Sequence, residues 1–185
     1  MLLLKKILTS GILGALASAA AAAVASRVEN GHAARPMNAI VHIVDGGEPP
    51  KHNGRGGRNT LLGLGIHTAA SVWWAAFFEA ALAAQPRPQR LATASALSAI
   101  AYVVDYYVVS KRFRPGFETC LSPRAMFAVY AALAVGFAAS GPQSGRYRRA
   151  RVRKRQNQRK GAAFARHARQ PELAAEEPRQ LAADR

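Results

Sequence analysis

The feature that most constrains this chain is the apolar run over residues 61–84, LLGLGIHTAASVWWAAFFEAALAA. A helix of roughly 20 such residues, rising about 1.5 Å each, is long enough to cross the hydrocarbon layer of a bilayer. Inside the run stand His67, Ser71, the adjacent Trp73 and Trp74, and Glu79. Imidazole and carboxylate groups are expensive in lipid unless they are paired, so much of the remaining chain is expected to supply partners.

Three further apolar runs accompany it. Residues 7–25 are Ala-rich and follow Lys5 and Lys6. A basic start, an apolar middle and small residues near Ala23 and Ala25 also suit a cleaved signal peptide. The run exceeds a usual signal core and further spans follow it, so a retained first span over residues 1–26 is expected. Ser10, Gly14, Ser18 and Ala22 recur every four residues, a ridge suited to close helix packing in lipid. Residues 91–110 form the third run and carry Ser95, Ser98, Tyr102, Asp105 and Tyr106. Ser122 and Pro123 read as N-cap and first-turn proline of the fourth, which ends near Ser140 and is stopped by Gly141-Pro142. Ala128, Ala132, Gly136 and Ser140 are expected to form its packing ridge.

The fold class that follows is an all-α membrane protein. Four transmembrane helices are expected in an antiparallel bundle, with a short interfacial helix near residues 36–44 and a disordered or partly helical basic tail. The division is a first span at 1–26, an outer loop at 27–60, spans two to four at 61–141, and a tail at 142–185. Asn59 and Thr60 are expected to cap span two. Cys120 is the single cysteine, which excludes an intrachain disulfide framework.

Charge sets the orientation. The chain has 26 Lys and Arg against 10 Asp and Glu, a net +16, and thirteen of those cations lie in the tail. Placing both termini in the cytoplasm puts seventeen cations inside and nine outside, as the positive-inside rule favours. Arg146, Arg148, Arg149, Arg151, Arg153, Lys154 and Arg155 then lie against anionic headgroups, each worth about 1 kcal/mol near the surface. Nucleic acid is not an expected partner, because the block has no aromatic platform. The expected partners are the lipid bilayer and its anionic phospholipids, with a homo-oligomer left open.

In this topology His67 and Asp105 lie at similar depth below the outer surface. Gly63, His67, Ser71 and Trp74 share one stripe at 100° per residue, and Ser98, Tyr102 and Asp105 share another. His67 and Asp105 are therefore expected to form a hydrogen-bonded pair, structural in the first instance and a proton relay in the second. Glu79 is expected to reach Arg90 or a headgroup, and the two tryptophans to pack inside the bundle. A metal reading gathers His42, Asp45, His52 and Glu118 on the outer side. No cofactor motif, phosphate loop or nucleophile elbow is present, so no cofactor and no catalytic residue is expected.

The segments Pro36-x-Asn-Ala-x-x-x-His42, Gly65-Ile-His67 with Trp74 and Glu79, Tyr102-Val-Val-Asp105-Tyr and Pro115-Gly-Phe-Glu118, in that order, resemble a family of small bacterial inner-membrane proteins with about four spans. Val41 and Asp45-Gly46 stand where that family has Ser and Trp-Gly. The resemblance implies a membrane fold and an inner-membrane location, and carries no activity with it. The function expected is a non-enzymatic structural or interaction component of the envelope. The alternative is a small transporter or metal- or redox-handling protein built on the outward His/Asp/Glu cluster.

Overall fold

In the computed structural model, residues 2–47 and 57–141 are described. The chain is all-helical there, with helices α1 (Leu2–Asn30), α2 (Arg35–Ile40), α3 (His42–Asp45), α4 (Gly57–Ala83), α5 (Arg90–Val103) and α6 (Pro123–Ala139). A π-helical turn, Val104–Val108, continues α5, and short 3₁₀ turns follow at Lys111–Phe113 and Phe117–Thr119. Residues 1, 48–56 and 142–185 lie outside the described set, and with them His52 and every tail cation named above.

Three helices are long and apolar enough to cross a membrane: α1, α4, and α5 with its π turn. The fourth expected span, α6, is apolar but only 17 residues long. At about 1.5 Å per residue it covers roughly 25 Å, short of a hydrocarbon layer of about 30 Å. Its start follows the expectation, with Ser122 Oγ accepting from the Ala125 amide at 3.2 Å and Pro123 in the first turn.

Helix α1 packs most extensively against α6 and next against α4, while α5 packs on α6 and α4. The reason lies in which residues α1 turns inward. Its buried positions are Ser10, Gly11, Gly14, Ala15, Ser18, Ala22 and Ser26, while Leu8, Ile12, Leu13, Leu16 and Val24 are exposed. Small and weakly polar residues inside, with large aliphatics outside, is the arrangement of a helix whose solvent is hydrocarbon and whose packing depends on close backbone approach. Gly14 and Gly136 make that approach. A Cβ built at Gly136 would lie 2.6 Å from the Gly14 Cα, and one at Gly14 would run into the Phe137 ring.

On α6 the predicted ridge holds at Gly136 and fails at Ala128. Ala128 is exposed, and the inward positions are Ala125, Met126, Val129, Leu133, Ala134, Gly136 and Phe137. This face opposes the small residues of α1 with large side chains, so the two surfaces interlock. Phe137 stacks on Phe78 of α4 at 5.4 Å between centroids, and with Ala75, Leu82, Ala94, Leu133 and Ala134 the pair forms an apolar cluster in the half of the molecule that holds the end of α4.

Three local expectations change. Helix α4 begins at Gly57, so Asn59 and Thr60 lie within it. Instead of capping, Thr60 donates its hydroxyl proton to Asn38 Oδ1 at 2.8 Å. The short helix at residues 36–44 is two helices, α2 and α3, joined at Val41, and Pro36, Met37, Ala39, Ile40, Val41 and His42 are buried. It packs on α4 where Gly63 leaves room for the Met37 carbonyl. Trp73 is 64% exposed. It points away from the helices that Trp74 faces, because consecutive residues on a helix are 100° apart.

Candidate functional site

Two polar groupings occupy opposite ends of the helices. At the end where α4 and α6 finish, Glu79 is 5% exposed and accepts from Ser10 Oγ of α1 at 2.5 Å. Arg90, the first residue of α5, reaches Glu79 Oε1 at 3.3 Å. The same guanidinium donates to the Phe137 and Ala138 carbonyls and to Ser140 Oγ, at 3.2, 3.3 and 2.6 Å. It thereby satisfies carbonyls that the end of α6 leaves without intrahelical partners, and it places a cation at the negative end of that helix. Four helices meet in this one network. Its geometry is that of a closed structural fastening, with each charge answered by a named group.

The other grouping is different in kind. A cavity of about 110 Å³ lies between α1, α4, the π turn and α6, beneath the α3 region and the loop at residues 113–117. Its wall includes Ser18, His67, Ser71, Trp74, Asp105 and Tyr130. His67 Nε2 is 2.9 Å from Ser18 Oγ. The Ser18 hydroxyl also reaches the Gly14 and Ala15 carbonyls, at 2.7 and 3.3 Å, and the Ala15 backbone is a further hydrogen-bond partner of the imidazole, so α1 holds the ring by more than one group. Asp105 Oδ2 accepts from the Tyr130 hydroxyl at 2.7 Å, and the Trp74 side chain also acts on it as a hydrogen-bond donor. Ser71 is buried with no protein partner for its hydroxyl among the described residues.

The expected His67–Asp105 hydrogen bond is therefore not formed. Each group is held by a hydroxyl from a different helix, α1 for the imidazole and α6 for the carboxylate, and both line one cavity. Asp105 itself sits at the start of a π turn. Between Val104 and Val109 the backbone closes an i to i+5 hydrogen bond of 2.9 Å, which changes the register of the residues that follow. Tyr102, on the regular helix before it, does not line this cavity and packs against Tyr106 and Tyr130, each at 5.3 Å. No residue pattern marks a π turn in advance.

Of the metal candidates, His42 is buried and Nδ1 meets the Ala39 carbonyl at 2.6 Å, while Asp45 and Glu118 are exposed. Among the described residues no group of three or more His, Cys, Asp or Glu comes together, so these three do not assemble a metal site, and His52 is outside the described set. Cys120 is buried beside this region, and burial pushes its thiol from an ordinary 9.0 up to about 11. It behaves as a small apolar residue.

No family model, curated protein or solved structure matches the chain.

Proposed function

We propose that this chain is a multi-pass protein of the bacterial inner membrane that works, without catalysing a reaction, as a small solute-binding or transport component through the cavity between His67 and Asp105. The observation that carries the reading is the separation of those two groups. A purely structural pair would be joined across the helices. Here the imidazole and carboxylate are each held by a hydroxyl from another helix, and both line one cavity between the helices. Intramembrane ionisable groups facing a cavity mark ligand or ion paths more often than packing.

The finer topology belongs to the same proposal. α6 is taken as the fourth span, accommodated by local thinning of the bilayer. Both termini are taken as cytoplasmic. This places the Arg90 network at the inner end and the cavity towards the outer one. Because α1 supplies Ser18 to the cavity and Ser10 to the network, residues 2–30 are read as a retained span. The tail cations Arg146 to Arg155 are assigned to anionic headgroups. A truncation after Ser144 that keeps full, salt-sensitive preference for anionic liposomes removes that assignment. Kinship with the inner-membrane family that the sequence resembles is part of the reading, with the same location and no added activity.

The test is thiol access. In a Cys120→Ala background, the Ser71→Cys protein should react with a small water-soluble thiosulfonate applied to the outer face of spheroplasts, and not when the reagent is confined to the inner face. Failure to react from either face removes the solute-binding reading and leaves the cavity a packing defect.

A further inference from the structure

We propose that the cavity takes a small organic cation bearing N–H groups, an alkylammonium in the simplest case. This rests on the solute-binding reading above and names its ligand class.

The charge balance is the first argument. The Glu79–Arg90 ion pair belongs to the other grouping. Asp105 has only neutral donors beside it, Tyr130 and Trp74, and no Lys or Arg stands in the cavity wall. A carboxylate withdrawn from water is costly unless a cation answers it. Here the protein supplies none, and there is space in front of the group. An anionic ligand would meet that same carboxylate with no cation to hold it, so the sign of the ligand is positive.

The walls are the second argument. Trp74, Phe113, Phe117 and Tyr130 surround the space, and His67 lies 5.9 Å from Phe117 between ring centroids. Aromatic faces attract desolvated cations through the ring quadrupole, Trp most strongly. A carboxylate set among such rings is the combination that recognises ammonium groups. The third argument is the excess of acceptors. Asp105 keeps lone pairs beyond the one Tyr130 uses, and the Ser71 hydroxyl has no protein partner among the described residues. A ligand that donates two or three N–H hydrogen bonds completes them. A divalent metal fits poorly, since it needs more oxygen or nitrogen ligands than this wall groups together. Size sets the last bound. About 110 Å³ holds several waters or one solute of a few heavy atoms, which admits methylammonium or ethylammonium and excludes a lipid-like amine.

The experiment uses the full chain in nanodiscs. The protein has two tryptophans, and Trp73 is the exposed one, so a Trp73→Phe background leaves Trp74 as the only indole and a reporter inside the cavity wall. Methylammonium chloride should quench or shift the Trp74 emission saturably. Sodium chloride at equal ionic strength and ethanol, a neutral molecule of similar size, should not. Asp105→Asn, whose amide still accepts from Tyr130, should keep the helical circular dichroism and weaken methylammonium binding about tenfold or more. The proposal is overturned by an unsaturable response, by an equal response to ethanol, or by unchanged affinity in Asp105→Asn. If methylammonium fails while the Ser71→Cys protein is still modified from the outer face, the ligand class falls and the solute-binding reading stands. If both fail, both fall.

Discussion

Replacing Gly136 with Ala adds one methyl group at the closest approach of α1 and α6. That Cβ would lie 2.5 Å from the Leu13 carbonyl oxygen and 2.6 Å from the Gly14 Cα. Both obstacles are backbone, so no side chain can swing aside. Carbon atoms in good contact sit about 3.5–4.0 Å apart, so the two helices must part by roughly 1 Å at the crossing. Parting them loosens Phe137 against Gly14 and stretches the Ser10–Ser140 hydroxyl contact, now 2.7 Å. Overpacking of this kind costs about 1–3 kcal/mol, and the better helix propensity of Ala returns about 0.5–1 kcal/mol. The expected net loss is about 1–2 kcal/mol. Gly65→Ala supplies the control, because nothing lies within 4 Å of a Cβ at that exposed position on α4. It should be neutral or stabilising by up to about 1 kcal/mol. Equilibrium unfolding in mixed micelles with rising dodecyl sulfate, followed by circular dichroism, reads both variants. If Gly136→Ala unfolds no earlier than the wild type, or if both variants shift alike, the close α1–α6 crossing is not what holds these helices.

Two further outcomes follow from the ends of the helices. Arg90→Leu leaves Glu79 buried with only Ser10 to answer its charge and uncovers the α6 carbonyls. It should cost about 3 kcal/mol in the same assay, against a smaller loss for Glu79→Gln, which can still accept from both neighbours; equal losses would mean the charge pairing contributes little. Cys120 should react slowly with iodoacetamide at neutral pH, its rate rising towards pH 11. Because the folded state holds this proton more tightly than the unfolded one, the stability it contributes is complete below about pH 9 and is lost as pH rises through about 11. Fast neutral-pH labelling of folded protein would contradict its burial.

What the sequence disclosed was set by how local the determining physics is. The long apolar runs, the Ser122-Pro123 helix start and the buried α1 ridge depend on composition and on 3.6-residue spacing, and the structure carries all three. So does the reach of Arg90 to Glu79, because a short turn places the first residue of one helix beside the end of its neighbour. The misses needed information that spacing does not hold. The π turn at Val104–Val108 ends the α-helical count just where Asp105 stands, and the Ser18 and Tyr130 hydroxyls hold the two groups that spacing pairs with each other. The large inward face of α6 answers α1 by shape, where a rule seeking small residues picked Ala128. Asn59 and Thr60 look like caps in isolation, yet α4 starts at Gly57 and α2 claims the Thr60 hydroxyl. Ser18 belongs to the packing ridge of α1, and the same four-residue spacing aims its hydroxyl at His67 of α4.

The extensive packing of α1 on α6 has a consequence for synthesis. The carboxylate of Glu29, at the end of α1, accepts from the amide and hydroxyl of Ser122, 93 positions later in the chain. At ribosomal speeds of about 5–20 residues per second, roughly 5–20 s separate the emergence of the two. Throughout that interval the serine face of α1 has no α6 to meet, and the Gly14 groove waits for Phe137. Among the described helices the first is thus completed by α6, so a nascent chain arrested before residue 123 should be the form that insertion factors and membrane proteases find unfinished.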